Sequence, residues 1–183
     1  MTRTISILGA TGSVGEQTLD LVRRNRDDWR VVALTANCQV ATLAAAAREF
    51  GAEIAVVADE SCLADLREAL AGSGIEAAAG RTALCEAAAR PVDLTVAAIV
   101  GCAGLAPVMA AIEQGGTIAL ANKEVLVMAG GLVMEAARRR GVSILPVDSE
   151  HNAIFQCLEG NAAGPPAVRR LVLTASGGPF RTA

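Results

Sequence analysis

The sequence is poor in aromatic side chains, with no tyrosine, one tryptophan and three phenylalanines among 183 residues. Stacking platforms for single-stranded nucleic acid need aromatic faces, and a formal net charge of −3 leaves no basic stripe for a phosphate backbone. No nucleic-acid partner is expected. Histidine occurs once, at His151, and the five cysteines (Cys38, Cys62, Cys85, Cys102 and Cys157) are scattered and odd in number. No pair has metal-type spacing, and one would stay unpaired in any disulfide scheme. A reduced, cytoplasmic protein is the expectation. No apolar run is long enough to span a bilayer, because Asp93, Gly101, Gly104, Pro107 and Glu113 break the stretch 92–120. The opening Met1-Thr2-Arg3-Thr4-Ile5 lacks the apolar segment of a signal peptide, so no membrane partner is expected.

What is present is apolar and periodic. Hydrophobic residues make up 52% and charged residues 19%, which supports a sizeable core. Apolar runs at 5–8, 30–34, 53–57, 75–79, 94–100, 117–120 and 142–145 read as strands. Helical patterns fall between them. One follows Gly15 with Leu19, Leu21 and Val22 on or near one face, and another follows Gln39 and stops at Gly51. A third is capped by Ser61 and aligns Leu63, Leu66 and Leu70. Others follow Thr82, cover 105–114, and close with Arg138–Arg140 before Gly141. A helix over 152–158 and a strand over 170–174 complete the pattern. Strand–helix alternation predicts a doubly wound, mainly parallel sheet with helices on both faces.

Gly9, Gly12 and Gly15 stand between the first strand and the first helix. Glycine there permits a tight turn and close approach of a pyrophosphate, and the helix N-terminus adds N–H donors and a positive dipole end. The spacing is one residue longer at the front than the commonest dinucleotide fingerprint, and the alternative is a structural glycine turn. The second strand ends in Thr35-Ala36-Asn37-Cys38-Gln39 without an acid. A carboxylate there normally binds the ribose 2′-hydroxyl of NAD and would repel a 2′-phosphate. NADP is thus favoured, although no arginine or lysine stands there and Asn37 reads equally as a turn residue.

Asn122-Lys123-Glu124 lies where a strand meets a helix. Either Asn122 is a plain N-cap, or Lys123, unfavourable at the positive end of a helix, marks an anionic ligand. Pro146-Val147-Asp148-Ser149-Glu150-His151-Asn152 follows the strand at 142–145. In extended backbone Asp148 and Glu150, two residues apart, face the same side and converge on one cation. Carboxylates without a Cys/His cluster suit Mg2+ or Mn2+. The alternative is a solvated turn. His151 is a proton carrier or a helix-start residue, and Ser176-Gly177-Gly178 a phosphate nest or a turn.

Five stretches occur together and in order: Gly9 to Gly15, Ala98 to Gly104, Leu120 to Glu124, Leu145 to Gln156 and Thr174 to Phe180. In this combination the chain resembles the N-terminal part of the 1-deoxy-D-xylulose 5-phosphate reductoisomerase family. The resemblance implies a Rossmann-like domain over residues 1–147 and the start of an α+β catalytic domain over 148–183. It implies NADPH and a divalent metal (Mn2+, Mg2+ or Co2+) as cofactors, a small sugar phosphate as substrate, and a homodimer for the full-length enzyme. By resemblance, Thr11, Gly12, Ser13 and Val14 line the cofactor pyrophosphate, and Asn37, Asn122 and Glu124 lie near the cofactor. Asp148 and Glu150 are then metal ligands. Lys123 and Glu150 carry catalytic roles, and both contact substrate together with Ser149 and Ser176.

Two departures stand out. Family members often carry a basic residue and an asparagine where this chain has Cys38-Gln39, so weaker discrimination between NADPH and NADH is expected. Family members also continue well beyond Phe180, so the chain reads as a fragment expected to bind NADPH without turning over substrate alone. Two rivals remain. A semialdehyde-dehydrogenase-type reductase requires a cysteine nucleophile, for which Cys102 and Cys157 are the candidates. A non-catalytic NADP-binding module requires no metal site.

Overall fold

The computed structural model describes residues 2–158 and 168–173. Seven parallel strands form one sheet: β1 (Arg3–Leu8), β2 (Trp29–Ala36), β3 (Ile54–Val57), β4 (Glu76–Ala79), β5 (Leu94–Ala97), β6 (Thr117–Leu120) and β7 (Ile144–Pro146). Their spatial order is β4-β3-β2-β1-β5-β6-β7. The chain builds outward from β1, then returns to its other side, so the order reverses between β1 and β5. Ligands of open α/β sheets bind at such a reversal, beyond the carboxyl ends of the strands.

Helices cover both faces, and side-chain alternation along β1 shows how. Ile5 and Ile7 pack in one cluster with Leu19 and Val22 of α1 (Ser13–Arg24) and with Leu43, Ala47 and Phe50 of α2 (Val40–Phe50). Leu66 of α3 (Leu63–Ala69) joins that cluster. Leu8 points the other way, onto Val108 and Ile112 of α5 (Leu105–Gln114) and Val125 and Val133 of α6 (Lys123–Arg140). On that same side α4 (Gly80–Ala88) packs Ala83, Leu84 and Ala87 on β2 and β3. Gly51 and Gly141 end α2 and α6 in the left-handed conformation, as their positions in the sequence predict.

Several local expectations are corrected. Leu21 is 61% exposed, because two residues of helix carry it about 200° round the axis from Leu19. Ser61 does not cap α3, which has no side-chain cap; Ser61 lies in a short 3-10 turn, Glu60–Cys62, capped by Asp59, whose carboxylate accepts from both the N–H and the hydroxyl of Ser61. The apolar run at 94–100 supports a strand only to Ala97, the last residue paired to Leu8 on one side and Leu120 on the other. Beyond it no ladder continues, and Val100 is 82% exposed. The strand expected at 142–145 is the sheet's last, so it is half-buried rather than buried, and it carries Pro146 opposite Leu120. Proline is tolerated at such an edge. Residues 168–173 form no strand, and Leu171, Val172 and Leu173 find no sheet neighbour among the described residues. Thr174 lies outside the described residues.

One buried feature is unfavourable. Ser6 and Thr95 are register partners on β1 and β5, both fully buried, and neither hydroxyl has a hydrogen-bond partner among the described residues. An unpaired buried hydroxyl costs about 1–3 kcal/mol, and valine has the shape of threonine. Thr95→Val is therefore expected to raise the unfolding free energy by about 1 kcal/mol, read as a higher urea midpoint at unchanged slope. A lower midpoint would show that the hydroxyl is satisfied.

Candidate active site

The turn after β1 is built by three glycines with different duties. Gly9 has φ +90° and lies so close to Ala98 that an added Cβ would sit 2.8 Å from its carbonyl carbon. Gly15 packs against the start of the same turn, where a Cβ would lie 2.6 Å from Ala10 Cα. Gly12 is the N-cap of α1, and its Cβ position is unobstructed, with Gly9 O at 3.6 Å. The turn is fastened from β2: Gly9 N–H donates to the Thr35 hydroxyl at 2.9 Å and Ala10 N–H to the Thr35 carbonyl at 2.7 Å. Thr35 was not singled out from the sequence. The available signal was a lone hydroxyl in the apolar run of β2, one strand from a glycine loop.

No side chain caps α1. Its first intrahelical bond, Glu16 N–H to the Gly12 carbonyl, leaves the N–H groups of Ser13, Val14 and Gly15 without helical acceptors. This terminus borders a cleft of about 440 Å3 lined by Gly9, Thr11, Gly12, Asn37, Ala98 and Ile99, among others. Of the residues expected to hold a cofactor, Thr11, Gly12 and Asn37 line that cleft, and Ser13 and Val14 begin the helix beside it.

Asn122 and Glu124 do not line it. Asn122 is 3% exposed and caps α6: its carbonyl oxygen accepts from Val125 N–H at 3.1 Å. Its amide donates to the carbonyls of Ile99 and Gly101, the latter at 2.9 Å. Each polar atom of the side chain thus has a partner within the fold, and Asn122 borders the second cleft together with Lys123 and Asp148. Glu124 is exposed in the first turn of α6.

The acidic stretch differs from its sequence reading. α7 (Ser149–Leu158) starts three residues earlier than expected, with Asn152 N–H donating to the Asp148 carbonyl at 2.8 Å. Asp148 therefore precedes the helix and Glu150 lies within its first turn, where residues two apart do not share a face. Extended backbone, the basis for their convergence, is absent there. Asp148 lines a cleft of about 230 Å3 with Lys123, Asn122 and His151, whereas Ser149 and Glu150 line another with Arg170 and Leu171. Lys123 Nζ lies 3.0 Å from one Asp148 oxygen, and His151 Nδ1 lies 2.9 Å from the other. The hydrogen bond from Lys123, offset in part by desolvation and reinforced by His151, holds the Asp148 carboxyl down to about 2. The same hydrogen bond raises Lys123 above its ordinary value. Among the described residues no group of three or more His, Cys, Asp or Glu side chains assembles to hold a metal. Ser176 lies outside the described residues.

The single histidine is engaged with Asp148, while Cys102 Sγ lies 3.2 Å from Met128 Sδ. Among the described residues, no histidine contact activates Cys102 or Cys157 as a nucleophile. No described helix is long and apolar enough to cross a membrane.

Comparison with known proteins gives these features a family. The model described as 1-deoxy-D-xylulose 5-phosphate reductoisomerase matches residues 5–130, and the model for that enzyme's C-terminal domain matches residues 144–183. The 1-deoxy-D-xylulose 5-phosphate reductoisomerase of Zymomonas mobilis is 59% identical over 180 residues, covering 98% of this chain and 46% of the relative. A structure of the Zymomonas mobilis enzyme in complex with NADPH superposes with a TM-score of 0.94 at 58% identity, covering 100% of this chain and 48% of that one. A structure of a DOX-P reductoisomerase in complex with NADPH, fosmidomycin and magnesium gives 0.83 at 44% identity, over 87% of this chain and 40% of the other. The chain thus spans about half the length of the relatives it matches. With the family model covering most of the sequence, on a seven-stranded parallel sheet opened by a glycine loop, the chain belongs to the 1-deoxy-D-xylulose 5-phosphate reductoisomerase family.

Proposed function

We propose that residues 1–147 form the NADPH-binding part, and residues 148–183 the beginning of the catalytic part, of an enzyme that rearranges 1-deoxy-D-xylulose 5-phosphate and reduces the product to 2-C-methyl-D-erythritol 4-phosphate. The observation that carries this is the uncapped N-terminus of α1, opening on the 440 Å3 cleft at the strand-order reversal. The relatives solved with NADPH support it. A pyrophosphate fits there because Gly9 and Gly12 keep side chains out of its approach and three helical N–H groups lack internal acceptors. Bound NADPH supplies a hydride to the rearranged aldehyde. The chain's own residues do the placing: Thr11, Gly12, Ser13 and Val14 hold the pyrophosphate, and Asn37 faces the adenosine ribose. Glu124 lies near the cofactor from α6.

Lys123 and Asp148 form the charged end of the second cleft, and Lys123 is the group that meets an anionic oxygen of the sugar phosphate. Ser149, Glu150 and Ser176 contribute further substrate contacts. Asp148 and Glu150 supply hard oxygen donors suited to Mg2+, Mn2+ or Co2+, and a relative is solved with magnesium. In the described structure these carboxylates border separate clefts and Asp148 is paired with Lys123, so the donor set does not by itself form a cation site. A cytoplasmic homodimer is the proposed setting of the full-length enzyme.

The test is NADPH titration of the 183-residue chain, followed by calorimetry or nicotinamide fluorescence, beside Gly12→Asp. The aspartate has room and is a favoured N-cap, so the fold is kept. Its charge meets the pyrophosphate, and affinity is expected to fall at least about tenfold, or about 1.4 kcal/mol. Saturable NADPH binding of equal strength in both chains would place the pyrophosphate elsewhere.

A further inference from the structure

The part of the cleft nearest the tips of β2 and β3 is lined by Ala36, Asn37, Gln39 and Ala58, and among the described residues no charged side chain lines the cleft. In a sheet of this order the glycine loop after β1 fixes the pyrophosphate, which brings the adenosine ribose to the end of β2. The groups that meet its 2′ position are therefore those of the turn at 37–39. Asn37 Nδ2 makes only a long 3.9 Å contact with the Cys38 sulfur, and Gln39 caps α2 without a side-chain hydrogen bond to it.

Among the described residues the surroundings add no cation. The Asn37 carbonyl accepts from Asp59 N–H at 3.1 Å, which sets Asp59-Glu60 beside the same turn. The Asp59 carboxyl is held below its ordinary range by the Ser61 hydroxyl and N–H, so it is an anion at neutral pH. That carboxylate is engaged with Ser61 and does not line the cleft. Arg81, in the first turn of α4, does not line it either, and Arg48 is spent on the carbonyls of Ala69 and Ala71.

We propose that the Asn37-Cys38-Gln39 turn does not select at the ribose 2′ position, so that this chain takes NADH as well as NADPH. This rests on the assignment of the cleft to a nicotinamide cofactor made above. An amide N–H donates more strongly to an anionic phosphate oxygen than to a hydroxyl, but the hydroxyl also donates back to the amide oxygen, and a dianion left without a cation carries a desolvation cost that a hydroxyl does not. Charge-assisted hydrogen bonds are roughly twice as strong as neutral ones. A 2′-phosphate finds no cationic partner among the described residues, while a 2′-hydroxyl finds no repulsion and no dedicated carboxylate.

Calorimetric titration with NADPH and NADH, at one fixed ionic strength, tests this on the whole chain and on Cys38→Arg. Cys38 is exposed, so the longer side chain has room. The unsubstituted chain is expected to bind the two within about tenfold of each other. Cys38→Arg is expected to tighten NADPH about tenfold and leave NADH unchanged, with the gain shrinking as salt is added. NADPH bound more than about tenfold tighter by the unsubstituted chain overturns the inference, as does an unchanged ratio in Cys38→Arg. Both results leave the cofactor cleft itself standing. Binding of neither nucleotide overturns the assignment of the cleft and the inference together.

Discussion

A Gly15→Ala chain is expected to lose about 4 kcal/mol or more of its unfolding free energy. The new Cβ would sit 2.6 Å from both Cα and C of Ala10, and closer still to the Gly9 carbonyl oxygen. Those are backbone atoms, and they are not free to yield. Ala10 is fixed by its hydrogen bond to the Thr35 carbonyl, and Gly9 by the Thr35 hydroxyl behind it and by Ala98 against its face. Relief would require α1 to move off β1, which opens the cluster holding Leu19 and Val22 against Ile5 and Ile7. Overpacking in a well-packed core typically costs about 1–3 kcal/mol, and a clash with backbone on this scale belongs above that range. Domains have about 5–15 kcal/mol of stability in total, so a loss of about 4 kcal/mol or more leaves little margin. Denaturant unfolding of the variant measures it. A loss below about 1 kcal/mol would show that helix and strand separate more easily than their packing indicates. Gly12→Asp is the companion, three residues away: it changes binding and keeps the fold, because its Cβ meets only Gly9 O, at an ordinary contact distance.

The contrast between these glycines explains what was legible in the sequence. The G-x-x-G-x-x-G spacing between an apolar run and a helix identifies a turn and its use, since few other arrangements need three glycines there. It does not say which glycine serves the ligand and which the packing. That depends on Ala10 and Ala98, and Ala98 lies far along the chain. Strand positions were readable for β1 to β6 because buried parallel strands are continuous apolar runs. Strand ends were less so, since β5 stops where its neighbours' ladders stop, although its own sequence stays apolar to Val100.

The acidic stretch was the least legible part. Asp148 and Glu150 have the residue types for a hard cation, but their relation depends on where α7 begins. Helix starts are decided by backbone capping that alternation does not reveal. The structure pairs Asp148 with Lys123 from α6, a contact spanning 25 residues. Sequence placed both residues in the candidate site and gave no sign that they neutralise each other.

Asn122 was legible as an N-cap, and the second half of its work was not. Asn122→Ala is expected to destabilise the chain by about 3 kcal/mol: about 1 for the lost cap and the rest for polar groups left unpaired. Val125 N–H is fully buried once its acceptor is gone, and the carbonyls of Ile99 and Gly101 lose their donor. Those carbonyls belong to the segment that leaves β5 and skirts the glycine loop, so the cleft wall loosens together with α6. Asn122→Asp separates the two functions. Aspartate caps helices as well as asparagine does, and by capping alone this variant would be silent. Here its second oxygen would face two carbonyl oxygens with no proton between them. It is expected to be at least as damaging as alanine at neutral pH. In the folded chain that carboxyl is pushed above the ordinary range, because its charged form is repelled and its protonated form can donate. The variant then recovers part of its stability below the unfolded-state value, and loses it again as pH rises through the folded-state value. Urea midpoints measured from pH 4 to 8 for the parent, Asn122→Ala and Asn122→Asp decide the matter. A parallel pH response of Asn122→Asp and Asn122→Ala would mean that the amide's hydrogen bonds to the segment after β5 contribute nothing, and that Asn122 is an ordinary cap.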